Sequence, residues 1–346
     1  MKKSILGLAI LLVVSMFSTG CSTAATATKS TVPDVSETNS ESVTEDTSAA
    51  SQTETKDKFV IGMAQCNLGE PWRVAMNDQI ALAAKDYPMF EIVYSDAAQD
   101  NSKQIADIEN FIQMDVDLII TSPNESKPLT NVIKKAYDAG IPVILLDRKI
   151  EGDSYTQFIG ADNVLMGLEA GKYVAETLLP DGGKVLEIKG LEGTSGGIDR
   201  DKGFREGIAS NPKVEIIAVS NADWLREKAI TIAEEMLQAN EEVDLIITLN
   251  DPMTEGAYIA AKNMGREKDI MFVGFDALPT PDGGIKSVME GRMSLTLVYP
   301  TGGKEAIESA YALLVEGKTL EKNITLGTEL ITPENAEDAY IRYGGE

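Results

Sequence analysis

The chain has 346 residues and a formal net charge of −24, from 31 basic and 55 acidic side chains, so it repels nucleic acid. It contains no histidine, which excludes His-ligated metals and every triad that relays a proton through imidazole. Two cysteines, Cys21 and Cys66, are too few for a disulfide framework or a four-thiolate zinc site. Since 43% of the residues are hydrophobic, we expect a globular binding protein of roughly two domains, without metal or cofactor, and not an enzyme.

The N-terminus has the pattern of an export signal. Two lysines precede an apolar run from Ile5 to Phe17, which is shorter than the about 20 residues that cross a bilayer. Small residues then lead to Cys21, an order similar to the lipobox of bacterial lipoproteins. We predict a lipoprotein signal peptide over residues 1–21, with a lipid on Cys21. The alternative is cleavage at a small-residue site that leaves a free protein.

Residues 22–57 hold no Leu, Ile, Met or aromatic residue and are dominated by Ser, Thr, Ala and acids. Such a segment cannot bury enough apolar surface to offset the entropy of ordering. We predict a disordered acidic tether. Its end-to-end distance as a flexible coil is roughly 30 to 36 Å, enough to hold a domain off a membrane.

From Lys58 the chain alternates short apolar strands with amphipathic helices. Strands are predicted at Phe59–Ala64, Phe90–Tyr94, Leu118–Thr121 and Val143–Leu146, the last of which is expected to close this unit. The first helix opens at Pro71, and the third ends at Gly140. Apolar strands separated by such helices predict a parallel sheet covered on both faces.

The alternation then restarts. Strands are predicted at Lys184–Ile188, Val214–Val219, Leu245–Thr248, Met271–Phe275 and Met293–Val298. The helices between them are predicted near Arg200–Ala209, Glu227–Gln238 and Pro252–Lys262. We therefore predict an α/β protein with two doubly wound parallel-sheet lobes that face each other across a cleft.

Polar and aromatic residues collect at the carboxyl ends of these strands, where open α/β sheets bind ligands. They include Asp147, Arg148, Arg200 and Asp276. Taken singly, several have a structural explanation: Asp147 and Arg148 fit a surface ion pair worth about 0 to 1 kcal/mol. Asp251, directly before a proline, is predicted to be a helix N-cap. Together, the carboxylates, guanidinium groups and flat aromatic faces suit a polyhydroxylated ligand.

Gly193–Gly197 fits the G-x-S-x-G elbow of serine hydrolases. The usual triad is excluded because the chain has no histidine, and a phosphate-binding loop would need Gly-Lys followed by Ser or Thr. We interpret the segment as a turn that leads into a helix.

Six short segments carry a resemblance to a known family, in family order and spacing. They are Glu70-Pro71-Trp72-Arg73, Leu145–Arg148, Ala161-Asp162-Asn163, Gly193-Thr194-Ser195 with Arg200, Gly203 and Phe204, Asn250–Met253, and Val273–Asp276. With them, the stretch from Phe59 to about Pro333 resembles the type I periplasmic sugar-binding proteins of bacterial ABC importers, the ribose, galactose and galactofuranose group.

This resemblance implies two lobes joined by a three-crossover hinge. The N-terminal lobe would comprise residues 58–161 plus about 300–326, and the C-terminal lobe residues 162–299 plus about 327–346. The implied ligand contacts are Cys66, Glu70, Trp72, Arg73, Ser122, Asp147, Arg148, Arg200, Trp224, Asn250, Asp276 and Tyr299. Ribose binders usually have other residues at Glu70, Trp72, Arg73, Ser122 and Tyr299, which argues against ribose itself.

Two functions follow from the resemblance. The first is an exported, monomeric, lipid-anchored receptor that delivers a monosaccharide, a pentose or hexose, to an ABC permease. The second is a protein that presents sugar to a membrane histidine kinase, since residues 147–150, 155–163 and 299–303 look similar to the sugar-sensing domains of such kinases. A LacI-type repressor shares the fold, but it needs a basic helix-turn-helix where this chain has a signal and an acidic tether.

Overall fold

The computed structural model describes residues 56–345. The predicted signal peptide, Cys21 and almost all of the predicted tether lie outside this range, as does Glu346. No helix among the described residues is long and apolar enough to cross a membrane.

A six-stranded parallel sheet occupies the first part of the fold. Its strands are β1 (Phe59–Gln65), β2 (Phe90–Asp96), β3 (Leu118–Thr121), β4 (Val143–Leu146), β5 (Gln157–Ala161) and β11 (Asn323–Leu326), in the order β11-β5-β4-β3-β1-β2. Strands β3 and β4 are fully buried and match the predicted ranges to the residue. The expectation that β4 closes this sheet is wrong, because β5 and β11 extend it.

A four-stranded parallel sheet follows. It consists of β6 (Gly183–Lys189), β7 (Val214–Asn221), β8 (Leu245–Thr248) and β9 (Met271–Val273), in the order β7-β6-β8-β9. The predicted strand Met293–Val298 is reduced to β10 (Thr296–Leu297), which pairs antiparallel with β12 (Leu330–Ile331). Isolated bridges join this segment to the end of the four-stranded sheet. The predicted α/β class with two parallel sheets is confirmed.

Ten α-helices cover the sheets in the described part of the chain. They are α1 (Pro71–Ala84), α2 (Asn101–Gln113), α3 (Ser126–Asp138), α4 (Asn163–Tyr173), α5 (Ser195–Ile208), α6 (Arg226–Ala239), α7 (Asp251–Asn263), α8 (Gly284–Met289), α9 (Gly303–Leu314) and α10 (Ala336–Arg342). Gly140 has a φ of +86°, the left-handed conformation with which glycine ends a helix, and it follows α3 as predicted.

Helices α4 and α5 pack with their backbones in direct contact. A methyl group at Gly167 would lie 2.2 Å from the carbonyl oxygen of Arg200, and one at Gly203 would lie 2.0 Å from that of Val164. Only glycine fits at these two positions, because no side chain separates the helices. The close crossing places Arg200 of α5 beside Asn163, the first residue of α4.

Candidate functional site

One cavity brings together side chains that follow strands of both sheets. Its empty space, together with the solvent at its mouth, is about 320 Å³. The lining residues are Glu70, Trp72, Arg73, Asp147, Arg148, Gly196, Arg200, Trp224, Asn250, Asp276 and Tyr299. Ten of the twelve predicted site residues are therefore in this lining, and the relative exposure of each is 6% or less.

Asp147 lies at the centre of the lining, directly after β4. Its Oδ2 accepts a 2.6 Å hydrogen bond from Arg73 and lies 3.5 Å from Nε of Arg148, while its Oδ1 accepts a 2.7 Å bond from the hydroxyl of Tyr299. Its φ of +62° turns the chain sharply at the end of the strand. Asp147 and Arg148 are buried, so the surface ion pair weighed from the sequence is wrong.

The charges of this cluster stabilise one another. Burial alone would raise the pKa of Asp147, but Arg73 and Arg148 outweigh it and hold that pKa below its usual value. Burial likewise opposes the charge of Arg73, yet Asp147 and the other negative groups around it raise its pKa. Both side chains are therefore ionised at neutral pH although water is excluded from them.

The other two arginines are also held by the protein. The NH1 nitrogen of Arg148 donates to the carbonyl of Asn124 at 2.8 Å, and the guanidinium lies 5.6 Å from the ring centroid of Trp224. Arg200 donates through Nε to Asn163 and through NH1 to the carbonyl of Leu249, both at 2.7 Å. Fixed in this way, the guanidinium groups present rigid donors to the cavity.

Three aromatic rings form apolar walls. Trp72 and Tyr299 stack with ring centroids 5.1 Å apart, and Nε1 of Trp72 donates to the carbonyl of Tyr299 at 2.8 Å. Trp224 packs on the opposite side against Gly190 and Gly197, where a methyl group would lie 2.1 and 3.3 Å from its ring. Its own φ of +71° directs the chain away from β7 at this point.

Two buried donors of the lining have no hydrogen-bond partner among residues 56–345. They are Nε of Arg73 and Nε1 of Trp224. A buried donor left unpaired costs about 1 to 3 kcal/mol, so such atoms are rare unless a ligand or water satisfies them. Both belong to residues that line the cavity, and we therefore interpret them as contacts for a ligand that carries acceptor oxygens.

Cys66 and Ser122 are the two predicted contacts that do not line the cavity. Both are fully buried behind it. The hydroxyl of Ser122 accepts a 2.8 Å bond from Arg73, and the sulfur of Cys66 lies 3.8 Å from NH1 of Arg148. Through these contacts they hold the arginines in place.

The helix N-cap predicted at Asp251 is formed by its neighbour Asn250. The side chain of Asn250 accepts from the amide of Met253 at 3.1 Å and is the N-cap of α7, so the N-cap predicted at Asp251 is wrong. The side-chain nitrogen Nδ2 of Asn250 donates to the carbonyl of Trp224 at 3.2 Å, which fixes this side chain at the edge of the cavity. Asp251 is the first residue of the helix and bonds elsewhere.

Asn163 was missed as a member of the site. It accepts from Arg200, and its amide lies 3.4 Å from the hydroxyl of Tyr299, so it joins the two sides of the lining. Its place in the segment Ala161-Asp162-Asn163, which carried the family resemblance, was the signal that could have found it. Gly196, also missed, lines the cavity at the start of α5.

The glycine-rich segment interpreted as a turn does lead into α5, which begins at Ser195. It also touches the loops that follow the six-stranded sheet. The amide of Ser126 donates to the carbonyl of Gly193 at 3.0 Å, and the amide of Lys149 donates to the hydroxyl of Ser195 at 2.9 Å. The serine of the G-x-S-x-G pattern therefore serves as an acceptor between loops.

The lining holds three carboxyl groups (Glu70, Asp147 and Asp276) and three guanidinium groups (Arg73, Arg148 and Arg200). No group of His, Cys, Asp and Glu side chains among residues 56–345 is arranged to hold a metal ion. The arrangement can bind a small neutral molecule with several hydroxyl groups, since carboxylates accept and guanidinium groups donate.

Comparison with known proteins agrees with this fold. A family model described as the periplasmic binding protein domain matches residues 61–319. The chain therefore belongs to the periplasmic binding protein family, in its type I sugar-binding group. The family resemblance seen in the sequence is confirmed.

Two solved structures and one curated protein illustrate the relationship. The chain is 31% identical over 279 residues to the ribose import binding protein RbsB of Bacillus subtilis, which covers 80% of this chain and 88% of that protein. It is 38% identical to the fructose-binding periplasmic domain of a hybrid two-component system, with a TM-score of 0.79 and coverage of 82% and 94%. A Mycobacterium smegmatis protein in complex with β-D-fucofuranose is 30% identical, with a TM-score of 0.77 and coverage of 81% and 93%.

The pairing of Asp147 predicts a pH-dependent contribution to stability. Because its folded pKa is depressed, the contribution is complete above its unfolded pKa of about 3.9 and is lost as the pH falls through the folded pKa. Asp147→Asn should lower the free energy of unfolding by about 3 to 5 kcal/mol at pH 7, as expected for a broken buried pair, and by less near pH 3.

Denaturant unfolding of both proteins from pH 7 to pH 3 measures this difference. The control is Asp138→Asn, which breaks an exposed pair with Lys134 and should cost less than about 1 kcal/mol. A cost for Asp147→Asn that stays constant down to pH 3 would contradict the assignment.

Proposed function

We propose that this protein captures a monosaccharide, a pentose or hexose, between its two sheets and delivers it to an ABC sugar importer. The observation that carries the proposal is one cavity lined by buried carboxyl and guanidinium groups, with two buried unpartnered donors and three aromatic walls. A sugar satisfies the donors and the acceptors of this lining alike, because each of its hydroxyl groups can both donate and accept. The relatives named for ribose and fructose support the same class of ligand.

The unpartnered nitrogen of Trp224 allows a specific test. A thermal-shift screen with neutral pentoses and hexoses would first identify the sugar. Trp224→Phe should then weaken its affinity by about two- to twelvefold, the worth of one neutral hydrogen bond of about 0.5 to 1.5 kcal/mol.

The matched control is Trp72→Phe, which removes the same ring volume but also leaves the carbonyl of Tyr299 without its donor. In the sugar-free protein, Trp72→Phe should therefore cost about 1 to 3 kcal/mol more stability than Trp224→Phe. Calorimetric titration and denaturant unfolding measure the two effects. Full affinity in Trp224→Phe would show that this nitrogen does not contact the sugar.

We further propose that the two sheets belong to separate lobes, with the boundaries predicted from the family, which close on the sugar. The support is that every lining residue is buried, ten of them to 6% exposure or less, so a sugar can enter only when the loops over the cavity part. Three bonds hold these loops: the two made by Gly193 and Ser195, and a third at 3.0 Å from the side chain of Gln99 to the carbonyl of Asp223.

Closure predicts a change of size in solution. Small-angle X-ray scattering of the protein should give a smaller radius of gyration at a saturating concentration of the sugar than without sugar. A pentose or hexose that gives no thermal shift is the control and should leave the radius unchanged. An equal radius with and without the bound sugar would argue for a rigid pocket.

A sensory role is the second candidate, because the solved fructose-binding domain of the hybrid two-component system is 38% identical to this chain. In that role the closed lobes would present the sugar to a membrane histidine kinase. Deletion of the gene separates the two roles: loss of uptake of the radiolabelled sugar supports import, and loss of sugar-induced transcription with normal uptake supports sensing.

We propose that the protein is exported and anchored by a lipid on Cys21 to the outer face of the cytoplasmic membrane. The apolar run that ends just before Cys21 supports this, and the acidic segment 22–57 would then separate the sugar-binding region from the membrane. Cys21→Ser should move the protein from the membrane fraction to the soluble fraction. Continued membrane retention, with no acyl group on Cys21 of the parent by mass spectrometry, would refute the anchor.

A further inference from the structure

The turn that carries Asp276 has an unfavourable backbone. Asp276, just beyond β9, has a φ of +124°, and Ala277 has a φ of +51°. Residues other than glycine rarely adopt positive φ, and the conformation persists only when surrounding contacts impose it. This turn brings the Asp276 carboxyl into the lining of the cavity, 3.9 Å from NH1 of Arg200.

Asp251 holds the turn on both sides. Its backbone amide donates to the carbonyl of Phe275 at 2.7 Å, and its Oδ2 accepts from the backbone amide of Ala277, also at 2.7 Å. The hydroxyl of Thr296 donates to its Oδ1 at 2.7 Å and fixes the carboxyl itself. Asp251 therefore bonds to both neighbours of Asp276, to Phe275 through its backbone and to Ala277 through its side chain.

The space for this carboxyl is built by two glycines. A methyl group at Gly274 would lie 2.4 Å from Oδ1 of Asp251, and one at Gly284 would lie 1.8 Å from Oδ2. Asp251 is 4% exposed and is not among the residues that line the cavity. A carboxyl this deeply buried is costly, so its presence calls for a role that an apolar residue could not fill.

The charges around the two carboxyls couple them. Burial raises the pKa of Asp251 to about 8, and burial together with the charge of Asp251 raises the pKa of Asp276. The charged groups that act on the pair are Glu255 of α7, Arg200 of α5, and Glu70 and Arg73 at the start of α1. The protonation of Asp276 therefore depends on Asp251.

We propose that Asp251 is a positioning residue for sugar affinity: it holds the strained turn that places the Asp276 carboxyl in the cavity, and it does so without touching the sugar. This inference rests on the proposed sugar-binding function. It deepens that function, because a residue outside the lining then controls how strongly the Asp276 carboxyl contacts the sugar.

A double-mutant cycle tests the assignment by calorimetric titration with D-fructose, D-ribose and D-galactose. Asp251→Asn should weaken binding of whichever of these sugars the parent binds by about tenfold or more. The same change in an Asp276→Asn background should add less than about threefold, because the residue acts through Asp276. Additive losses, or Asp251→Asn binding within twofold of the parent, would overturn the inference.

The dependence of sugar affinity on pH is a further measurement, and a loss of stability alone would not shift its midpoint. Asp251→Asn removes a carboxyl that is charged above its pKa of about 8 and then raises the pKa of Asp276, so the midpoint of this profile should shift to lower pH. The control is Glu255→Gln, which alters another buried carboxyl of α7, one paired with Ser287 and Arg292; it should bind within twofold of the parent at pH 7 and shift the profile by less than Asp251→Asn does, because Glu255 acts on Asp276 only through Asp251. An unchanged pH profile in Asp251→Asn would contradict the coupling.

A second variant guards against misfolding of Asp251→Asn. Thr296→Val removes the hydroxyl that fixes Asp251 and should weaken affinity in the same direction, by less. Hydrogen exchange at the Ala277 amide, measured without sugar, should be faster in Asp251→Asn than in Glu255→Gln. If the parent binds none of the three sugars, the proposed function fails for these sugars. The exchange rate of the Ala277 amide then still decides whether Asp251 holds the turn.

Discussion

The buried ion pair between Arg73 and Asp147 is the interaction on which the rest of the site depends. Removing two charges from water costs several kcal/mol for each ion, and the pair is sustained only because other groups complete its hydrogen bonds. Tyr299 and Ser122 supply those bonds, so the loops that follow β4, β3 and β10 meet the first turn of α1 at one point. The pair thereby fixes the position of Trp72, which stacks on Tyr299.

The same constraint explains the kind of ligand that the cavity accepts. The protein holds Arg148 and Arg200 through Asn124, Asn163 and Leu249, so these two side chains need little reorganisation of their own when a ligand arrives. What remains open is a small set of donors and acceptors in a cavity with three aromatic walls. This combination favours a neutral polyol ring and explains how one family can bind several sugars through a few changes in the lining.

Much of this arrangement was predictable from the sequence, for a physical reason. Fully buried parallel strands such as β3, β4 and β8 read as unbroken apolar runs, and their carboxyl ends converge on one edge. Strand β11 escaped prediction because it is a four-residue edge strand whose alternate residues are exposed. The roles of Asn163 and Asp251 depend on contacts with Arg200 and with the Asp276 turn, and no local pattern encodes contacts between such distant segments. The N-cap of α7 lies one residue before the predicted position for the same reason: no local pattern encodes it.

The central claim is that a neutral sugar fills the cavity and satisfies its two unpartnered donors. A crystal structure of the protein grown with the sugar selected by the thermal-shift screen tests it most directly. Sugar oxygens should lie within hydrogen-bond distance of Nε of Arg73 and Nε1 of Trp224, with the ring against the Trp72 and Tyr299 faces. A sugar bound at another surface, with both nitrogens still unpaired, would contradict the claim.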